Sequence, residues 1–237
     1  MHAAVRASLT EIEPGRCTAS LPVPPPDGLD AGLWLLGDFA SGLAVTGTLA
    51  AGERITTLRL TLHVLVRDLA PGTLHATGCL RDHLGASALS TADIVDDDGR
   101  VVARATGRNA VLADEVAASY TRSEHPWAAP PAGAAELIHL DADGAWRPDP
   151  RAVNTANVVQ GGVLASAAVR ALVADLGGPP DEATATFLRP VPVEGAALWA
   201  RTEVEHGGRT LRTARVTLVD ARDRAVLLAT GLRYAGS

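Results

Sequence analysis

The sequence predicts an α+β fold built twice in one chain: two tandem units, each a central apolar helix wrapped by a mostly antiparallel sheet, paired as a pseudo-dimer. Three observations predict it. Shifting the chain by 124 residues lays 72–108 on 196–232 without a gap, so that Leu74 and Ala76 meet Leu198 and Ala200, Val95 and Asp96 meet Val219 and Asp220, and the ATG of 105–107 meets that of 229–231. A shift of 131 lays LDAGLWLLGDFASGLAV (29–45) on QGGVLASAAVRALVADL (160–176). The difference between the two shifts falls in the connection after the helix, where insertions are tolerated best. Finally, the segments around each helix alternate with the period of strands, and such a helix finds its cover in its own sheet.

Each half starts with a short strand and a loop carrying Pro or Gly, then enters its helix. Both helices are apolar on nearly every side, the pattern of a helix with no solvent face. In TTLRLTLHVLVRDL (56–69), Leu58, Leu60, Leu62, Val64 and Val66 fall on one face and Thr57, Arg59, Thr61, His63 and Arg67 on the other, which predicts a half-buried strand. ALSTADIVDDDGRVVARATG (88–107) reads as a hairpin turning at Asp97, Asp98 and Gly99, and its counterpart turns at Ala221 to Asp223. TRSEHPWAAPPAGAAE (121–136) has three prolines among small residues and no periodicity, as a linker does. The expected organisation is a first unit over 1–120, the linker over 121–136 and a second unit over 137–237.

An apolar share of 47% supplies a real core, and the formal net charge of -6 comes with mixed signs and no basic stripe, so a nucleic-acid partner is excluded. Cys17 and Cys79 are the only cysteines; two lone thiols make neither a disulfide framework nor a metal knuckle, and both are expected to be buried and reduced. The start of the chain has no apolar leader core, and the most apolar stretch, AGLWLLGDFASGLAV, is interrupted by Asp38. These features predict a cytoplasmic protein with no membrane span. The histidines show no metal-ligand spacing, and no Gly-x-Ser-x-Gly elbow is present, so neither a metal nor serine-type hydrolysis is expected.

The stretches NTANVVQGGVLASA (154–167) and FLRPVPVEGAALWARTEVEHGGRT (187–210) resemble the hotdog-fold acyl-CoA thioesterases, in particular the small phenylacetate-type enzymes. Members carry Asn-x-x-Gly-x-x-His-Gly-Gly ahead of the central helix; this chain has Asn154, Asn157 in place of Gly, Gln160 in place of His, then Gly161 and Gly162. The resemblance implies a catalytic carboxylate on the helix nine positions after that His, which here is Val169. The corresponding position of the first half, nine after Leu29, is Asp38, inside GDFASGLAV, which looks like the family's Asp-x-Ala-x-Gly segment. The motif is therefore divided between the halves.

Family members pair two hotdog units and form each site across the junction, so the resemblance implies one composite site: Asp38 from the first unit facing Asn154, Gln160, Gly161 and Gly162 from the second. The reciprocal site, Val169 with Leu29, Asp30 and Ala31, would be inert. Backbone N–H groups at a helix start, with the positive end of its dipole, suit the oxyanion of a thioester under attack. A partly desolvated carboxylate suits activation of water or direct attack. Thr57, or Thr56 one residue away, stands where relatives place a hydroxyl that positions water, and Arg189 and Arg209 are candidates for the phosphates of CoA. The implied activity is a thioesterase acting on an acyl-CoA or acyl-carrier substrate without a cofactor, in a chain that self-associates. A non-catalytic acyl-CoA-binding protein or scaffold is the alternative, and a hotdog hydratase or dehydratase a further one, disfavoured because no His lies near Asp38 or the QGG loop in sequence.

Overall fold

The computed structural model describes residues 7–24, 26–113, 133–142, 144–154 and 156–234. Twelve antiparallel strands form one continuous sheet, and two long helices lie against its inner face. The first unit contributes β1 (Ser8–Glu13), β2 (Arg16–Pro22), α1 (Leu29–Thr46), β3 (Glu53–Val64), β4 (Thr73–Leu84), β5 (Ser87–Val95) and β6 (Val101–Ala113). The second contributes β7 (Ile138–Leu140), β8 (Trp146–Pro148), α2 (Gly161–Ala171), the single turn α3 (Val173–Leu176), β9 (Glu182–Phe187), β10 (Leu198–Gly207), β11 (Leu211–Asp220) and β12 (Ala225–Tyr234). Of the expected linker, residues 121–132 lie outside the described residues, and its end runs into a 3-10 turn, Ala134–Leu137.

The strand order β1-β2-β4-β5-β6-β3-β9-β12-β11-β10-β8-β7 reads the same outward from its centre in both units. At that centre β3 pairs with β9, Thr61 opposite Thr184, and the two hydroxyls lie 2.9 Å apart on the pseudo-twofold axis. The two-unit α+β architecture is thus as the repeat predicts. Both hairpin turns also fall where expected, between β5 and β6 and between β11 and β12.

The helices supply the core. Along α1, Leu29, Leu33, Trp34, Leu35, Leu36, Phe39, Ala40, Ala44 and Val45 are all buried, so the helix has no solvent face to speak of and is held by its surroundings. It sits so low on the sheet that a Cβ on Gly78 of β4 would lie 2.0 Å from the Ala40 carbonyl oxygen. On α2, Val163, Leu164, Ala165, Ala167, Ala168 and Val169 are buried, and Arg170 stacks its guanidinium 4.4 Å from the ring centre of Trp146 on β8. No helix among the described residues is long and apolar enough to cross a membrane. Cys17 is buried and its thiol pushed up to about 11 by desolvation, whereas Cys79 is only half-buried; both are free.

One strand departs from simple alternation. The β3–β6 register is broken between Thr57 and Arg59, with Thr57 opposite Asn109, Arg59 opposite Arg108 and Leu60 opposite Gly107. Leu58 is the extra residue of a β-bulge and is 39% exposed. It therefore leaves the apolar face that alternation assigns it, and Thr57 joins Leu60 and Leu62 on the inner side.

Candidate active site

Asp38 lies in the middle of α1, buried where the two helices cross. Its carboxylate has three donors from two units. The Thr57 hydroxyl donates to Oδ1 at 3.1 Å, the Gly162 backbone N–H to Oδ2 at 3.1 Å, and the Gln160 side-chain amide also to Oδ2. Burial pushes the Asp38 carboxyl up to about 6, against the pull of the bonds from Thr57, Gly162 and Gln160, which favour the charged form. The position at the N-terminus of α2 favours that charge as well.

The bulge in β3 is what brings Thr57 to this carboxylate, since without it the hydroxyl would turn to the outer face. Its cross-strand neighbour Asn109 is buried too and donates to the Ser90 hydroxyl at 3.2 Å. Sequence reasoning passed over this pair, although an Asn on the apolar face of a strand is itself a signal.

On the opposite side the chain is prepared by a tight loop. Asn154 Oδ1 accepts from the backbone of Ala156 at 2.9 Å and of Val158 at 3.3 Å, so its side chain holds the loop, and no bond joins it to Asp38. Asn157 adopts φ 58°, a left-handed conformation that Asn tolerates better than most residues; the resemblance puts Gly at this position. Gln160 then caps α2, its Oε1 accepting from Val163 N at 2.9 Å while its amide reaches Asp38. One side chain thereby begins the helix and clamps the carboxylate.

The two glycines act differently. A Cβ on Gly162 would lie 2.4 Å from the Trp34 carbonyl oxygen, so this glycine lets the helix backbones touch; a Cβ on Gly161 would lie 2.9 Å from Asp38 Oδ2, so that glycine leaves the carboxylate its room. Among the first N–H groups of α2, Gly162 serves Asp38, Val163 serves Gln160 and Leu164 bonds the Gln160 carbonyl. The Gly161 N–H has no partner among the described residues.

The reciprocal position lacks this chemistry. Val169 is buried among apolar neighbours, and Asp30 is paired with Arg67 at 2.5 Å. Arg189 is exposed just beyond β9, and Arg209 is exposed in the β10–β11 turn. They sit toward opposite ends of β10, a strand of ten residues, roughly 30 Å at ordinary strand rise, so they do not serve one phosphate group together.

Residues 149–233 match the family model described as the acyl-CoA thioesterase N-terminal domain. The second unit is thus similar to an acyl-CoA thioesterase domain. No curated protein matches the chain. Among solved structures, the tesB protein of Mycobacterium avium subspecies paratuberculosis is 14% identical over 96% of this chain and 95% of its own, with a TM-score of 0.62. A candidate thioesterase from Novosphingobium aromaticivorans is 14% identical over 97% and 98%, with a TM-score of 0.61. The 12:0-ACP thioesterase of Umbellularia californica is 13% identical over 77% and 74%, with a TM-score of 0.54. These likenesses show the fold: the segment that the family model matches lies in one half of a double hotdog that spans the described chain. The match starts at Asp149 and includes the Asn154 loop, Gln160, Gly161 and Gly162, while Asp38 and Thr57 come from the first unit.

Proposed function

We propose that the chain hydrolyses acyl-CoA thioesters at one composite site, with Asp38 as general base. The observation that carries this reading is the Asp38 carboxylate held by Thr57 from its own unit and by Gln160 and Gly162 from the other. A carboxylate offers about four lone-pair positions, and three are taken by fixed donors. The fourth is left for a water, whose oxygen attacks the thioester carbonyl carbon as its proton passes to Asp38. The oxyanion that forms is met by the Gly161 N–H at the positive end of α2. Collapse then breaks the C–S bond, and the thiolate leaves with the proton returned from Asp38. A base near 6 is well matched to this work at neutral pH.

The test is hydrolysis of a panel of acyl-CoAs by the parent chain and by Asp38→Asn. The expected loss in kcat is about 100-fold or more. Equal rates would remove Asp38 from the chemistry, and tight acyl-CoA binding without turnover by the parent would support the binding-protein alternative. The reading includes self-association, since β1 ends the sheet as an edge strand exposed along its whole length; light scattering of the purified chain tests it.

A further inference from the structure

Next to Asp38 the interior of the first unit stays polar. Ser41 follows one turn along α1 on the same side of the helix, and below it stand Ser90 on β5 and Asn109 on β6, the latter opposite Thr57. Ser90, Asn109 and Ser41 are 0%, 1% and 2% exposed. They converge on the bare Cα of Gly107, where a Cβ would lie 3.0 Å from Ser90 Oγ, 3.2 Å from Ser41 Oγ and 3.5 Å from Asn109 Nδ2.

These groups satisfy one another poorly. Ser41 Oγ donates to the Asp38 carbonyl and Ser90 Oγ to the Gly107 carbonyl, both at 3.4 Å, longer than a good hydroxyl bond. Asn109 donates to Ser90 Oγ at 3.2 Å, and its Oδ1 accepts no bond among the described residues. A buried amide oxygen without a donor costs stability, so its presence calls for a reason outside packing.

The second unit is an internal control. Ala214 pairs with Gly231 there as Ser90 pairs with Gly107 here, and the repeat puts Leu172 in the place of Ser41. Leu172 and Leu176 close on Gly231, their Cδ1 atoms 3.1 Å and 3.0 Å from where a Cβ would stand, and both are buried with Ala214. One floor is thus packed with hydrocarbon in the unit without the carboxylate and lined with two hydroxyls and an amide in the unit that has it. Past this polar band the first unit turns apolar again: Val45, Ala88 and Val111 form a small cluster apart from the main core, with Leu49, Ile55 and Leu80 against it.

We infer that this band selects acyl groups bearing a hydroxyl within two carbons of the thioester carbonyl, with Asn109, Ser90 and Ser41 receiving the hydroxyl and a short hydrocarbon end lying beyond it toward Val45 and Val111. This rests on the thioesterase reading and deepens it by naming the acyl group. Asp38 and Ser41 are three residues apart on one helix, about 4.5 Å of rise, a span that two C–C bonds and a C–O bond cover. The substrate hydroxyl donates to Asn109 Oδ1 and accepts from a serine. A plain hydrocarbon in the same place strips these groups of water and gives them no partner, and a site built around a hydroxyl rejects the analogue that lacks it.

The test is thiol release by the parent from hexanoyl-CoA, 2-hydroxyhexanoyl-CoA and 3-hydroxyhexanoyl-CoA. The expected kcat/KM is higher by about tenfold or more for a hydroxylated ester than for hexanoyl-CoA. In the double variant Ser90→Ala/Asn109→Leu, which removes both ends of one buried bond, and separately in Ser41→Ala, that ratio falls and the hexanoyl ester gains. A parent that takes the three esters alike or prefers hexanoyl-CoA, or folded variants that keep the parent's ratio, would overturn the inference; the parent's own ratio decides it where a variant does not fold. Calorimetry with analogues of the three esters in which a methylene replaces the thioester sulfur separates the two readings. Tighter binding of a hydroxylated analogue by the parent supports the band even if no thioester is cleaved, and cleavage without preference refutes it while leaving the thioesterase reading in place.

Discussion

Asp38→Asn should leave a folded protein that is more stable than its parent at neutral pH. The carboxyl titrates near 6 in the folded chain against 3.8 for the free group, so between those values the folded state holds more protons than the unfolded one. Stability then falls as pH rises through that window, and above pH 6 the whole cost of the buried charge is present, about 3 kcal/mol at 1.36 kcal/mol per pKa unit. Asparagine removes the charge and can keep the bonds: its carbonyl oxygen accepts from Gln160 and Gly162, and its amide donates to the Thr57 hydroxyl. By linkage the variant should gain on the parent by about 1.5 kcal/mol between pH 5 and pH 8, and every other titration cancels between the two proteins. Urea unfolding of both chains at those two pH values measures the gap. A gap that does not change with pH would refute the assignment of a raised pKa to Asp38, whatever the kinetics show.

Hydrolysis should rise with pH through about 6 as Asp38 loses its proton, a limb absent from any residual activity of Asp38→Asn in a pH–rate profile. Gly161→Ala and Gly162→Ala should separate activity from stability. The first presses a methyl on the Asp38 carboxylate and should lower kcat with little change in melting temperature, while the second drives a methyl into the Trp34 backbone and should cost about 1–3 kcal/mol in unfolding experiments. Gln160→Ala should lose about 1 kcal/mol as an N-cap and, by removing a donor that lowers the Asp38 pKa, move the acidic limb of the rate profile upward.

The internal repeat made the fold and the crossing of units legible, because Asp38 and Val169 occupy the same place in two copies of one helix. Thr57 was legible as a residue but not as a face: strict alternation puts it opposite Leu60, and a bulge of one residue is silent in a hydrophobicity pattern. The Asn154 side chain looked available because its bonds run to the backbone of Ala156 and Val158, contacts that any Asn in a tight loop can make and that no motif displays.

The β3–β9 seam joins two units of different sequence, and this frees them from matching each other. In an assembly of identical subunits any substitution is made in both partners at once, so a helix that gave up its carboxylate would silence both junctions. Here α1 always meets α2 and never another α1. One helix was free to bear the acid and the other to clamp it, and on the function proposed above each chain would carry a single reaction centre whose two halves diverge without having to match each other.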